Sequence, residues 1–515
     1  MRKHSISILA TLLFATALLT GCGNGSNNGS NETQPNNEST DYINDTPYTA
    51  YTTEGGFEIP LCPLFGRPLY EYREGRLWAL TAGFTETPMD LRDRNIHIVT
   101  DNYYFFNYWP QQDATPNETH RIMAQLRNIE EDYNMTFSFA PAPRATFVWE
   151  HVLQARLAGE VSSEIININI THGNPDIMFR QNVFIDLYSP QVSHIFDFEN
   201  NPWHEGRQMS NLWGMQFGVH FTTANSGAML TSMLTFNMDF AENFQLGNFH
   251  EMVHNGSWNF SNFESILRWV QYHSNGNILP MAAASEGGVG PGFIFANGGR
   301  TVIRNDLGHL EFVATHNDRA LEAVQYLADL ANLGLFEIIP GLIPGIGNRP
   351  YEMFERAAAG GIMFMSGGYE IVRRFTRQQT PSEFLFGLLP IPKGDHMDDY
   401  VSAMYSFDMY YIVYGVHNPQ EVAAILVALA NRTSKLYIIE HELRFGVRSP
   451  ECAEILEMML ARQEIDYSRM VSVRGRISTQ IRDAIHGFAT PRTSLERIET
   501  SVNQTLADLI IPPSW

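Results

Sequence analysis

A chain of 515 residues that is 44% hydrophobic and 17% charged is globular in composition and long enough for more than one core. Its formal net charge of -22 argues against nucleic acid as the main partner, because phosphate is repelled by such a surface, and a solvated acidic exterior is the simpler account. Cysteine is scarce: besides Cys22 there are only Cys62 and Cys452, far apart and without metal-ligand spacing, and two unpaired thiols are expected.

The N-terminus opens on the basic Met1-Arg2-Lys3-His4. An apolar run from Ile6 to Leu19 follows, too short for a comfortable membrane span. Small residues, Thr20-Gly21, precede Cys22, and this order reads as an export signal over residues 1–21. Residues 22–56 are rich in Asn, Gly, Ser and Thr and lack the aliphatics needed to offset chain entropy. They read as a flexible tether with an r.m.s. span of about 30 Å. Leu19-Thr20-Gly21-Cys22 also resembles the lipobox of bacterial lipoproteins. That resemblance implies diacylglyceryl (palmitate-type) modification of the Cys22 sulfur and anchoring at the outer face of the cell membrane.

Residues 57–89 form an N-terminal extension, and from Asp90 strands alternate with helices. Ile96 to Val99 is a short apolar strand. Thr115-Pro116-Asn117-Glu118 is a capping box, after which Ile122, Leu126, Ile129 and Tyr133 share a helix face. Thr136–Phe139 returns as a strand, Phe147–Leu157 is a helix stopped by Gly159, and Ile177-Met178-Phe179 is expected to be a buried strand. Ser261–Glu264 starts another boxed helix, Asp318 caps a third, and Asn418-Pro419-Gln420-Glu421 opens a fourth with Val422, Ile425, Leu426 and Leu429 inward. Ile362–Met365, Phe384–Leu389 and Met409–Tyr414 are apolar strands. This order argues for α/β lobes with mostly parallel sheets.

Several stretches, in order, resemble extracellular solute-binding protein family 1, the carbohydrate-binding, maltose-binding-like branch of ABC importer receptors. They are "MDLRDRNIHIVT", "IEEDYNMTFSF", "NPDIMF", "LTFNMDF" (with Phe236 where the family has tyrosine), "GSWNFSNF", "AAAGGIMFMSGGYE", "FGLLPIPKG" and "VHNPQEVAAILVAL". The match spans roughly residues 90–430, and "SSEIININITHG" departs from it as an apparent insertion. The resemblance implies a type II periplasmic-binding-protein fold: two α/β lobes, a hinge and a ligand cleft. Residues 90–228 and 408–450 would form one lobe, and 229–407 with 451–515 the other. It implies a sugar or oligosaccharide ligand, ABC permease subunits as partners, a monomer, and no catalytic residues, cofactor or metal.

A sugar presents hydroxyls at its rim and C–H groups on its faces, so its site needs aromatic plates and planar polar groups. Tyr369, after Gly367-Gly368, stands where the family places a stacking aromatic, and Gly368 lets backbone approach the ligand; core packing is the alternative for the tyrosine. Arg180, Gln181 and Asn182 follow the expected 177–179 strand at its carboxyl end, where open α/β sheets bind ligands. Asp101, Asn102, Tyr103 and Trp109 follow the first strand in the same way, as hydroxyl acceptors and stacking groups or as turn and packing residues. Trp213 and Tyr405 lie near the expected hinge crossings. The family signature uses Trp258 to seat a helix, so the resemblance implies a core role for it, and Trp149 and Trp269, which sit in helical patterns, read as core too.

Three constellations carry no catalytic signature. "GDHMDDY" (residues 394–400) gathers Asp395, His396, Asp398 and Asp399 without EF-hand spacing. "EGGVGPG" lacks the lysine and hydroxyl of a P-loop, and His441-Glu442-Leu443 lacks the second histidine of a zincin. An exported carbohydrate-active hydrolase is the rival from another class and needs two carboxylates facing across a cleft. A sensor uncoupled from transport is a third reading.

Overall fold

The run Glu164 to Asn169, "EIININ", is the apolar segment around which the first half of the molecule is built. In the computed structural model it forms the central strand of a five-stranded sheet, with Ile165, Ile166 and Ile168 fully buried. A strand covered on both faces needs β-branched residues on both, here Ile165, Ile166 and Ile168. The structure describes residues 50–52, 58–60, 70–73, 76–79, 83–100, 125–141, 145–170, 175–203, 205–221, 232–284, 286–339, 352–367, 382–404, 408–433, 449–469 and 473–509.

In chain order the strands of the two large sheets are β1 (Arg94–Thr100), β2 (Met135–Pro141), β3 (Ile165–Asn169), β4 (Gly218–Val219), β5 (Met233–Asn237), β6 (Leu279–Ala283), β7 (Phe336–Ile338), β8 (Ile362–Gly367), β9 (Phe386–Pro390) and β10 (Asp408–Ile412). The first sheet has the order β4-β10-β3-β1-β2 and the second β7-β6-β8-β5-β9. In the first, β1 pairs parallel with β2 and β3 (Ile98 opposite Phe139, Val99 opposite Ile166), whereas β10 runs antiparallel (Ile412 opposite Ile165). In the second, β6 pairs parallel with β7 and β8 (Met281 opposite Phe336 and Phe364), whereas β5 runs antiparallel to β8 and β9. Each half thus has the same order, second-first-third-guest-fourth. The guest is an antiparallel strand supplied by a segment that has just left the other sheet. The chain passes between the sheets after β4, after β9, and again after the helix Pro419–Thr433. Beyond that helix, Pro450–Ala461 packs on β9, where the Leu388 N–H meets the Cys452 sulfur at 3.2 Å.

The 177–179 segment is not a strand. It lies in a helix, Pro175–Arg180, and the third strand of the sheet comes from the stretch that reads as an insertion. Three apolar residues cannot decide between strand and helix, and Pro175 at the first helical position favours the helix. Two helix starts also shift. Asn259 rather than Ser261 caps Phe260–His273, accepting from the Asn262 N–H, and Asn317 rather than Asp318 caps Asp318–Asn332, accepting from Ala320. In both cases an extended asparagine one or two residues earlier reaches the free N–H first. The Pro419 helix begins where expected, with Val422, Ile425, Leu426 and Leu429 buried, but Asn418 is left-handed at φ 48° and the Glu421 N–H bonds its backbone carbonyl rather than its side chain. The 115–118 box lies outside the described residues.

Trp258 is fully buried, its indole N–H donating to the Pro390 carbonyl at 2.9 Å, and so fastens the helix Phe260–His273 to the end of β9. Trp149 is buried edge-on to Phe184 and Tyr411, while Trp269 is only half-buried, stacked on His273. Cys452 is a free, buried thiol, pushed up in pKa by burial; Cys62 and Cys22 lie outside the described residues.

Paired strands begin earlier than a tether ending at residue 56 would allow. Ala50–Thr52 pairs antiparallel with Glu58–Pro60, and Tyr70–Arg73 with Arg76–Ala79. Tyr51 and Thr52 are good strand formers inside an otherwise polar tract. Farther on, the Glu86 carboxylate accepts from Arg432 Nε (2.9 Å) and Nη2 (2.6 Å), from Asn431 Nδ2 (2.7 Å) and from the Tyr133 hydroxyl (3.1 Å). A half-buried bidentate pair of this kind is strong, and it pins the extension to the first half. Burial, then the Glu86 charge, push the Tyr133 phenol up.

His220, fully buried just beyond β4, bonds through Nδ1 to the carbonyl of Asp408, the first residue of β10, at 2.7 Å. Burial lowers its pKa from 6.5 to about 4. The folded ring stays neutral while the unfolded one gains a proton, so its contribution is complete above pH 6.5 and is lost as pH falls toward 4. The loss is at most about 3 kcal/mol, the linkage value for such a gap. Urea midpoints at pH 7 and pH 4.5 should therefore differ less in His220→Gln than in the parent; identical pH dependence would show that this histidine carries none of it.

Candidate ligand site

Strand order decides where a ligand can sit. In each sheet the first strand lies between the second and the third, so the chain turns opposite ways from adjacent strands and leaves a crevice at their carboxyl ends. In the first sheet that place is the end of β1 and β3. Thr100 Oγ1 donates there to Asn167 Oδ1 at 2.8 Å, a buried polar pair that ties the two strand ends together. In the second sheet it is the end of β6 and β8, at Ala283 and Gly367. Buried Ser232 stands beside it, its hydroxyl donating to the Ala403 carbonyl at 3.1 Å.

Asp101 follows Thr100 directly in the sequence, and Gly368 follows Gly367. Asp101, Asn102, Tyr103, Trp109, Gly368, Tyr369 and Tyr405 themselves lie outside the described residues. The glycine-rich "EGGVGPG" segment begins the helix Glu286–Ala296 at the end of β6. Its glycines serve packing: a Cβ on Gly290 would lie 2.9 Å from Ile481, and one on Gly292 would lie 3.4 Å from Ser232 Oγ.

The remaining expected site residues stand elsewhere. The helix Pro175–Arg180 carries the chain away from the carboxyl end of β3. Phe184 then bridges Val413, one residue past Ile412, which pairs with the first residue of β3. Arg180, Gln181 and Asn182 are therefore not at the carboxyl end of a strand, because the segment before them is helical. Gln181 is exposed. Asn182, in the left-handed region at φ 50°, gives its carbonyl to Arg156 Nε at 3.1 Å. It lines a cavity of about 430 Å³ with Tyr414 and Asp186.

Arg180 and Trp213 do meet, but on the end of the helix Pro491–Asp508. Arg180 donates to the Asp508 carbonyl and stacks 5.9 Å from the Trp213 ring centre, and the Trp213 indole N–H donates to the Leu509 carbonyl at 2.6 Å. Last-turn carbonyls lack helical partners and carry the negative end of the helix dipole, so a guanidinium and an indole N–H satisfy them well. Trp213 and Gly214 form a two-residue turn between the paired strands Asn211–Leu212 and Met215–Gln216, with φ of 55° and 75°. Such a turn favours Asn-Gly, and a tryptophan there is held in a costly conformation by its contacts. Arg304 adds to this junction, donating to the Asn211 carbonyl at 2.8 Å and that of Gln208 at 3.2 Å, while the Tyr467 hydroxyl donates to Gln208 Oε1 at 2.9 Å. Neither Arg304 nor Tyr467 belongs to a motif, so no local pattern signals them.

The acids of the 394–400 loop are used singly. Asp395 accepts from the Ser261 N–H at 3.1 Å, Asp399 pairs with Arg462 at 2.8 Å, and His396 meets Arg319. None of the described groups forms a metal-ligand cluster, and none of the described helices is long and apolar enough to cross a membrane.

No family model and no curated sequence matches the chain. Solved structures do. The cyclic α-maltosyl-1,6-maltose binding protein of Arthrobacter globiformis superposes with a TM-score of 0.55 at 11% identity over 81% of this chain and 100% of that one. The galacto-N-biose/lacto-N-biose I-binding protein of a Bifidobacterium longum ABC transporter gives 0.55 at 10% identity over 82% and 100%. UgpB of Mycobacterium tuberculosis, solved with glycerophosphocholine, gives 0.54 at 12% identity over 81% and 99%. The chain has their fold, the type II periplasmic-binding-protein architecture of two α/β lobes joined by a hinge.

Trp213→Asn keeps a residue suited to the turn but removes the bond to Leu509. Amides in the last turn of Pro491–Asp508 should then exchange about tenfold faster, as expected for a local opening made easier by roughly 1.4 kcal/mol. Unchanged exchange would mean that the indole contributes nothing to holding that helix end.

Proposed function

We propose that the protein is the substrate-binding lipoprotein of an ABC importer, capturing a sugar or oligosaccharide outside the cell and handing it to a membrane permease without chemical change. The observation that carries this is the duplicated strand order with a guest strand in each sheet, in a chain that superposes on sugar-binding proteins, one of them solved with lacto-N-biose. Such a topology makes two lobes that share their crossing segments, so a ligand touching both shifts them toward closure. The lobes would comprise residues 90–228 with 408–450 and residues 229–407 with 451–515; all ten strands of the large sheets, taken in order, fall within these bounds. Asp101 and Trp109 from the first lobe, and Gly368 and Tyr369 from the second, would line the cleft, with Tyr405 at a crossing. Lipidation of Cys22 would keep the receptor at the outer face of the membrane.

Titration calorimetry with an oligosaccharide panel, glycerophosphocholine included for comparison, tests this. Saturable binding with the glycan recovered intact is expected, and released product would convert the protein into the hydrolase. Tyr369→Ala should weaken binding roughly tenfold, the ~1.4 kcal/mol scale of one stacking contact, with the melting temperature unchanged. Undiminished affinity would remove Tyr369 from the site.

A further inference from the structure

A cavity of about 310 Å³ lies beside the Trp213 turn, away from the strand ends at which the glycan is proposed to bind. Its walls come from the Trp213 turn, from the hairpin formed by Val302–Arg304 and Leu310–Phe312, and from Leu506 and Leu509 at the end of the last helix. The lining is one-sided in charge. Arg304 and His309 contribute the ionisable groups, leucines and Trp213 most of the rest, and no carboxylate among the described residues lines it. This occurs in a chain with 56 Asp and Glu against 34 Lys and Arg, where chance alone would favour acid.

Arg304 supplies the charge, and like Arg156 and Arg180 it donates to main-chain carbonyls. The arginines Arg94, Arg432 and Arg300 each pair with a glutamate. Arg304 has no carboxylate partner among the described residues. Its terminal nitrogens donate only to the carbonyls of Gly308, Gln208 and Asn211, it lies 5.2 Å from the Tyr467 ring centre, and its Nε is buried without a hydrogen-bond partner. A half-buried guanidinium among neutral oxygens lacks its counter-charge, and a carboxylate is the group that matches its geometry. At the rim, Leu307 is 79% exposed, an apolar side chain left in water beside an apolar cavity.

We infer that this cavity is a second ligand site, specific for a small apolar carboxylate. The carboxylate would face Arg304, and a branched or aromatic body would pack against Trp213 and the leucines. The volume is at the low end of ligand pockets and suits on the order of ten non-hydrogen atoms.

The test is calorimetry on the full chain at pH 7 with 4-methylpentanoate and phenylacetate, each against its neutral amide. The acids should bind saturably and at least about tenfold more tightly than the amides, the ratio expected of one charge-assisted contact. Arg304→Gln should erase that preference. Because Arg304 also holds the carbonyls of Gln208 and Asn211, a second pair of variants uses the exposed rim: Leu307→Asp should weaken acid binding and Leu307→Lys tighten it, with glycan binding unaltered by either. Equal affinity for acid and amide, absence of saturable acid binding, or acid affinity indifferent to the charge at position 307 would overturn the assignment.

Discussion

Neither sheet is complete without a strand that arrives from the other half of the chain. β10 and β5 are buried along their whole length, each standing between the third and fourth strands of its sheet. Withdrawing either would leave two rows of backbone N–H and C=O groups unpaired in an apolar interior, a cost well beyond the few kcal/mol by which a domain is stable. The segments that cross between the halves are thus obligatory. They connect the two sheets, and buried apolar residues of both, such as Ile165 and Phe364, belong to one continuous core.

The other long-range contacts reinforce this frame from outside. Arg432 and Asn431, at the end of the helix that follows β10, hold Glu86 and so bring the N-terminal extension back onto the first half. Arg180 and Trp213 of the first half hold the last carbonyls of the final helix, and Arg304 reaches the carbonyls of Gln208 and Asn211 in the opposite direction. These are polar contacts to main-chain oxygens. They add polar ties to the apolar contacts that already join the two halves.

The proposed glycan cleft and the Arg304 cavity differ in chemistry as well as place. The strand ends supply neutral polar groups, such as the Thr100–Asn167 pair, and glycines that admit backbone close to a ligand. The Arg304 cavity has a cation, an indole and leucines. A ligand that satisfies one set leaves the other unsatisfied, so the two sites would not compete for the same molecules.

Much was readable in the linear chain because it rests on short-range regularities. The helix from Pro419 follows from its first-turn proline and the spacing of its apolar residues, β1 and β8 from runs of buried aliphatics, and the core role of Trp258 from the family resemblance. Local pattern failed where two short apolar runs competed: "IIN" and "IMF" look alike, and only the closed first sheet, with room for one third strand beside β1, decided that Ile165–Asn169 enters it. That choice moved Arg180, Gln181 and Asn182 off the strand end. The sequence by itself determined the alternation of elements, because periodicity and capping act over a few residues, while its length and the family resemblance pointed to two lobes. Only tertiary structure decided which strand each sheet borrows, that Arg180 and Trp213 meet on the last helix, and that Arg304 faces a cavity with no acid among its described lining residues. Those facts join residues hundreds of positions apart, and no local physical signal records them.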